Sequence, residues 1–208
     1  MVGHSFGGLY SRYFAAEYPE DVAGNVLIEA TSPDFLRRFG KPEIMPNSDR
    51  KMIDAGPLAA RVGILRLFQF VPLDPKLPET QRAELRAFYS SNKFADTAKS
   101  TFHDFPLILA QVRSTPKLGS RPLLIVVGSN SENAAGQLFG LQQELAALSS
   151  DSVVRIVPGA DHTSLVRGEC DSVGTVGAIL EVVEAARTKM PLQHRTSTAE
   201  ENHKGYNN

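Results

Sequence analysis

Three short runs of apolar residues predict buried β-strands. They lie at residues 25–29, 123–127 and 153–157, and glycine, proline, serine or threonine residues stand close to their ends. Apolar runs of this length without polar alternation are typical of parallel strands that are covered on both faces. The chain is therefore predicted to contain a parallel sheet.

Between and after these runs, apolar residues recur at the spacing of amphipathic helices. Such spacing covers residues 9–18, 138–148 and 172–190, and in the last segment the residues that share one face are Val173, Val176, Leu180 and Val183. Parallel strands that alternate with helices are joined by right-handed crossovers. We therefore predict an α/β fold with helices flanking a parallel sheet.

The regular alternation stops between residues 34 and 120. Prolines recur there between short helical patches, and a charged amphipathic helix is predicted at 79–94 with Ala83, Ala87 and Phe88 facing inward. The last residues, 191–208, are polar and aperiodic, which predicts a disordered tail. The predicted divisions are thus 1–33, 34–120, 121–190 and 191–208.

Composition and charge exclude several classes of function. The 208 residues carry a net charge of −1 and include one cysteine, Cys170. A chain so nearly neutral gives no reason to expect nucleic acid or an anionic membrane as a partner. A single cysteine forms no internal disulfide, and the scattered histidines lack the spacing of a zinc site, so we expect neither a metal nor a cofactor.

No apolar run in the sequence approaches the 18 residues or so that a membrane-spanning helix needs. No signal peptide is visible either, which leaves the cytoplasm as the default expectation for the location of this chain.

The richest motif is Gly3-His4-Ser5-Phe6-Gly7, which follows the pattern G-x-S-x-G. This pattern marks a nucleophile elbow, a tight strand-to-helix turn in which the central serine takes a positive φ angle. Strand and helix backbones approach closely there, which leaves no room for a side chain at either Gly3 or Gly7. We therefore expect glycine to be a steric requirement at both positions.

With GHSFGG as its elbow, the chain resembles the α/β-hydrolase family, in particular its esterase- and lipase-like serine hydrolases. The resemblance continues through residues 26–29, 123–128 and the Pro-Gly-Ala-Asp-His turn at 158–162, and it reaches about residue 190. It implies that 34–120 is an inserted helical cap over the substrate pocket, and that the substrate is a small acyl compound.

The resemblance also implies that sheet strands normally precede the elbow. Only Met1 and Val2 stand where a strand of about 5 residues should lead into the turn. We therefore expect an N-terminally truncated fold, with Met1 an internal residue of a longer hydrolase. In that case residues 25–29 would form an exposed apolar edge, through which the chain could self-associate.

A serine hydroxyl needs a neighbouring base to act as a nucleophile at neutral pH. His162 is the best candidate, because it follows the last predicted strand and so lies at the sheet edge where an elbow serine lies. Of the remaining histidines, His4 has a side chain that must point away from Ser5. His103 lies in the insertion, where we interpret it and Asp104 as surface or capping groups. His194 and His203 lie in the tail.

The carboxylate that orients the histidine is the least determined member of the predicted triad. In most α/β hydrolases it follows the strand before the last helix–strand pair, where this chain offers Glu132. In some lipases and dehalogenases it instead ends the strand after the elbow helix, where Glu29 lies. We favour Glu29 over Glu132, with Asp34 as a third option. If Glu29 has only a structural role, its carboxylate at the end of the strand would bind the backbone of the following turn.

The predicted reaction is ester hydrolysis through an acyl-enzyme on Ser5, with His162 as base and then acid. The backbone N–H of Phe6 would donate to the oxyanion, and the family's second donor comes from a loop upstream of the elbow. Two alternatives remain: a non-catalytic remnant of the fold that serves as a binding module, and an acyltransferase that uses the same triad.

Overall fold

A computed structural model describes residues 1–39, 47–68, 71, 73, 77–131 and 136–192. In these ranges the strands are β1 (Val2–His4), β2 (Asn25–Ile28), β3 (Leu123–Gly128) and β4 (Ser152–Val157). The helices, in chain order, are α1 (Gly7–Glu17), α2 (Phe35–Phe39), α3 (Asn47–Arg61), α4 (Ile64–Leu67), α5 (Glu79–Tyr89), α6 (Asn92–Arg113), α7 (Gly136–Ala146), α8 (Ser164–Arg167) and α9 (Ser172–Thr188).

The four strands form one parallel sheet in the order β1-β2-β3-β4. Leu27 pairs with Gly3 on one side and with Ile125 on the other, and Ile125 pairs in turn with Val154. Every residue of β2 and β3 is buried. The predicted α/β fold with a parallel sheet and flanking helices is confirmed.

Alternate side chains of the central strands pack into two separate clusters, because successive residues of a strand point to opposite faces. One cluster joins Val26 and Val126 to Ala178 and Val182 of α9. The other joins Leu27 to residues such as Ala15 of α1 and Leu145 of α7. Two covered faces explain why these strands lack polar alternation.

The edge of the sheet is not where the sequence predicted it. β1 pairs with β2 over Val2–His4, so residues 25–28 lie inside the sheet and the prediction of an apolar edge at 25–29 is wrong. Among the strands of the described residues, β1 lies at this edge of the sheet, and Val2 is 48% exposed on it.

The apolar spacing of two helices does not coincide with their buried faces. On α9 the residues Val173, Val176, Leu180 and Val183 are exposed, whereas the buried positions are Thr175, Ala178, Val182 and Ala185. On α5, which ends at Tyr89, the residues predicted to face inward, Ala83, Ala87 and Phe88, are exposed. Both helices have small or apolar residues on two faces, so spacing alone did not select the buried face.

By internal contacts the chain divides into two compact units. The sheet unit comprises Met1–Gly40 and Leu109–Asn208, and the helical unit comprises Lys41–Ile108. Within the helical unit, a cavity of about 330 Å³ is lined mainly by apolar residues such as Ile53, Leu65 and Phe94. The predicted insertion at 34–120 contains this unit.

Among the helices that the structure describes, none combines the length and apolar character needed to cross a bilayer.

Candidate active site

Ser5 lies in the sharp turn between β1 and α1. Its φ angle is +54°, in the left-handed region that residues other than glycine rarely adopt. The Ser5 N–H donates to the Ile28 carbonyl at 3.1 Å, and the Thr31 N–H donates to the Ser5 carbonyl at 3.0 Å. These bonds fix the Ser5 backbone at the carboxyl end of β1, beside the end of β2.

The glycines around Ser5 differ in the space that surrounds them. A Cβ atom on Gly3 would lie 2.5 Å from the Gly7 carbonyl oxygen, whereas one on Gly7 would meet nothing within 4 Å. The second crowded position is Gly8, where a Cβ would lie 2.3 Å from the Cβ of Ala30. The expected steric requirement therefore holds for Gly3 and is wrong for Gly7, which contributes its backbone to the close approach.

Glu29 follows β2 and carries a fully buried carboxylate that accepts hydrogen bonds from the backbone, a hydroxyl and an imidazole. Its Oε1 accepts from the Gly128 N–H at 2.8 Å, and its Oε2 accepts from the Ser131 hydroxyl and from His162 Nδ1, both at 2.7 Å. Hydrogen bonds to an ionised carboxylate are among the stronger ones in proteins and stabilise its charged form. The Glu29 backbone also has positive φ, at +39°.

Of the three carboxylates considered from the sequence, Glu29 is the one found in contact with His162. Glu132 lies outside the described residues. The carboxylate of Asp34 accepts from Arg113 Nε at 2.9 Å and also pairs with Arg37. Asp34 therefore binds arginines of the sheet unit.

His162 lies in a short turn after β4 whose backbone is held at several points. The Asp161 carboxylate accepts from the N–H groups of Thr163 and Ser164, each at 2.8 Å. These backbone hydrogen bonds, first that from Ser164, lower the pKa of Asp161. On the other side, the Asn130 N–H donates to the Ala160 carbonyl at 2.9 Å. The turn is thus tied both to α8 and to the loop after β3.

His4 contacts His162 directly. His4 Nε2 lies 2.8 Å from the His162 carbonyl oxygen, and the two ring centroids are 4.4 Å apart. Burial lowers the pKa of His4, an effect that its hydrogen bond to His162 partly opposes. Sequence reasoning excluded His4 as a base and gave it no other role.

The remaining histidines lie elsewhere. His103 Nε2 lies 2.7 Å from Asp54 within the helical unit, and this hydrogen bond lowers the pKa of Asp54. His194 and His203 lie outside the described residues. Cys170 is exposed.

Phe6 follows Ser5 with helical backbone angles, φ −56° and ψ −31°, immediately before the first residue of α1. The first backbone N–H groups of a helix lack partners within the helix, and the positive end of the helix dipole lies there. The Phe6 N–H is therefore placed at the end of α1 that favours negative charge.

Sequence reasoning missed the donors that hold Glu29. The segment Gly128-Ser129-Asn130-Ser131 was considered only as a source of a carboxylate, but it contributes a backbone N–H and a hydroxyl instead. Gly128 carried a usable signal, since a glycine that ends a strand often marks a close approach. A Cβ there would lie 2.4 Å from the Ala160 carbonyl oxygen.

No group of three or more histidine, cysteine, aspartate or glutamate residues that could hold a metal ion occurs in the described part of the chain.

A family model for the alpha/beta hydrolase family matches residues 1–170, and the chain belongs to that family. Membership in this family supports the classification of the protein as a hydrolase. A search of curated proteins returned no match.

Solved structures of low sequence identity share the fold. MenH from S. aureus is 18% identical with a TM-score of 0.54, over 89% of this chain and 68% of the other. An esterase from Exiguobacterium antarcticum is 17% identical with a TM-score of 0.54, over 86% of this chain and 65% of the other. DBJA is 16% identical with a TM-score of 0.57, over 88% and 68%. The chain thus spans about two thirds of the length of these structures.

Proposed function

We propose that this protein is a serine hydrolase that acts on ester-type substrates through an acyl-enzyme on Ser5. The observation that carries the proposal is the 2.7 Å contact between His162 Nδ1 and the buried carboxylate of Glu29, at the sheet edge where Ser5 follows β1. In this proposal Ser5 is the nucleophile, His162 the base and Glu29 the acid that orients the base.

The donors around Glu29 support its assignment as the orienting acid. A carboxylate can only accept from His162, so Nδ1 carries the hydrogen and a neutral His162 has its lone pair on Nε2. That nitrogen is the one that must accept the Ser5 proton. The buried negative charge also favours the imidazolium that forms when the proton is transferred.

The surroundings of Ser5 support its role as the nucleophile. Within the described residues the Ser5 hydroxyl forms no hydrogen bond, so it is free to rotate towards a base. His4, the preceding residue, touches His162, which supports a short path between the Ser5 and His162 side chains. In ligand-free structures such catalytic hydrogen bonds are often long and tighten when substrate binds.

The proposed reaction begins when Ser5 Oγ attacks the ester carbonyl while His162 takes its proton. His162 then protonates the leaving alcohol, and water cleaves the acyl-enzyme by the same steps in reverse. We assign the Phe6 N–H as one donor to the oxyanion, because it follows the nucleophile at the start of α1.

Labelling with a fluorophosphonate probe tests the assignment of the nucleophile. We expect one phosphonyl adduct on the peptide that contains Ser5, its loss in Ser5→Ala, and full labelling in the control Ser172→Ala. His162→Ala and Glu29→Gln should slow labelling by about 10²–10⁴-fold. An unlabelled Ser5 in the folded chain, or equal labelling of all variants, would refute the proposal.

Product analysis tests the reaction itself. A series of p-nitrophenyl esters of increasing acyl length, with competing alcohols added, distinguishes hydrolysis from acyl transfer. We expect the free acid as the main product; an ester of the added alcohol would indicate a transferase instead.

We further propose that the helical unit acts as the cap of this hydrolase, because this unit, which contains α3, α4, α5 and most of α6, is inserted between β2 and β3 in the chain. Ala59→Phe, at the cavity of the helical unit, tests this proposal. We expect it to change the acyl-length preference; an unchanged preference in the folded variant would argue against a cap role.

A further inference from the structure

We propose that His4 is a positioning residue, which holds the turn that carries His162 so that the imidazole stays between Glu29 and Ser5. The inference rests on the proposed function and assigns a role to a residue of the same site that the reaction itself does not use. His4 is well placed for this role, because it is the last residue of β1 and the immediate neighbour of Ser5.

The first contact holds the main chain of His162. His4 Nε2 lies 2.8 Å from the His162 carbonyl oxygen, and a carbonyl can only accept, so the His4 Nε2–H is the donor. The bond joins residues 158 positions apart in the chain. It therefore links the strand that carries Ser5 directly to the turn that carries the base.

The second contact holds the ring. The His4 and His162 ring planes are inclined by 35° with centroids 4.4 Å apart, so one face of the His162 imidazole rests on His4. The His162 side chain is 42% exposed, and the bond to Glu29 holds its ring at Nδ1 alone. The contact with the His4 ring limits how far the His162 ring can tilt towards that side.

The charge state of His4 is compatible with this contact. Burial lowers its pKa, so His4 is mostly neutral at neutral pH. The charged groups that act on it are His162 and Arg167, which disfavour its protonation, and Glu29, which favours it. A neutral ring can stay against His162 when His162 becomes a cation, whereas a protonated His4 would repel that cation.

Three substitutions separate the two contacts. His4→Phe keeps an aromatic ring and removes the donor, His4→Gln keeps a donor and removes the ring, and His4→Ala removes both. The matched control is His103→Gln, which removes a histidine from the helical unit. Circular dichroism and thermal unfolding measure the folded fraction of each variant, to which every labelling rate is normalised.

The first readout is the rate at which a fluorophosphonate labels Ser5 as a function of pH. We expect His4→Ala to lower the normalised rate by about 10- to 100-fold, since displacements of about 1 Å have effects of that size. His4→Phe and His4→Gln should each lower the normalised rate by a smaller factor. The midpoint of the pH profile should shift in all three His4 variants. His103→Gln should match the unmodified chain.

The second readout does not depend on catalysis. Nitrogen-15 and proton NMR of the His162 ring report its tautomer, with its signals assigned from their absence in His162→Gln. We expect a single Nδ1–H form in the unmodified chain, and a mixture of tautomers in His4→Phe and His4→Gln.

The outcomes separate this inference from the proposed function. If the unmodified chain does not label at Ser5 but the His162 signals change in the His4 variants, the proposed function fails and the positioning role stands. If the normalised rates and the His162 signals of the folded variants equal those of the unmodified chain, the positioning role is overturned. A rate loss that only follows the folded fraction also overturns it.

Discussion

The sheet unit and the helical unit bury their apolar side chains to very different degrees. Leu27 and Ile125, in the middle of the sheet, are 0% exposed, whereas Leu58 and Leu67 of the helical unit are 66% and 79% exposed. The helical unit also contains a cavity of about 330 Å³. Close packing makes each buried position of the sheet unit sensitive to a change in volume, and the exposed positions of the helical unit should be far less so.

The largest expected effect comes from matched leucine truncations in the two units. Leu27→Ala removes a fully buried side chain and should lower the free energy of unfolding by about 2–5 kcal/mol. Leu58→Ala removes a mostly exposed side chain and should change it by less than about 0.5 kcal/mol. Urea unfolding followed by circular dichroism measures both free energies. Similar losses in the two variants would show that the two positions do not differ in packing as the structure indicates.

Glycine substitutions test whether the sensitivity of the sheet unit to added volume is confined to its crowded positions. Gly3→Ala would place a Cβ 2.5 Å from the Gly7 carbonyl oxygen, and we expect a loss of about 1–3 kcal/mol in unfolding free energy. Gly177→Ala in α9 meets open space and should stabilise the protein by about 0.5–1 kcal/mol, because alanine is the better helix former.

Gly7→Ala is the control within the motif, since a Cβ atom on Gly7 would meet nothing within 4 Å. We expect it to unfold at nearly the same urea concentration as the unmodified chain. If Gly7→Ala were as damaging as Gly3→Ala, the crowding around Ser5 would be more extensive than the structure indicates.

A third pair of measurements compares ion pairs in the two units. Arg61 and Asp96 of the helical unit are 3.2 Å apart with side chains about half exposed, and Arg155 and Glu181 of the sheet unit are 2.6 Å apart with side chains 25% and 34% exposed. Double-mutant cycles should give coupling energies of about 0.2–1 kcal/mol, with the larger value for Arg155–Glu181. Both should shrink in high salt, and the opposite ranking would contradict the comparison.

The smallest expected effect concerns pH and His4. Burial lowers the pKa of His4 in the folded chain below its ordinary value of 6.5, so the unfolded chain binds the proton more readily. The stability associated with neutral His4 is therefore present above pH 6.5 and is lost as the pH falls through the lowered pKa. The melting temperature of His4→Phe should fall less than that of the unmodified chain between pH 7 and pH 5, and parallel curves would argue against the shift.

The strands were predictable because burial on both faces leaves a direct trace in the sequence. The predicted runs at 25–29, 123–127 and 153–157 agree with β2, β3 and β4 to within a residue at each end. The exposed face of α9 was not predictable in the same way. Valine and leucine occupy its outer face, whereas the buried positions are Thr175, Ala178, Val182 and Ala185, so apolar character alone does not distinguish the two faces.

The candidate site was predictable in its residue types and not in its contacts. Ser5 and His162 follow from a motif and from the position of a loop after the last strand. The choice between Glu29 and Glu132 depends on which carboxylate reaches the His162 ring, and no sequence spacing measures that distance. The contact of His4 with His162 joins opposite ends of the chain, so it has no local signature.

By itself, the sequence determined the order of strands and helices, the parallel sheet and the serine turn, because each follows from local periodicity or from backbone sterics around a few residues. The tertiary structure decided which glycine is crowded, which face of α9 is buried and which donors surround Glu29. Those features depend on distances between segments far apart in the chain, such as the 2.8 Å bond between Gly128 and Glu29. Only the folded packing of the sheet unit sets such distances.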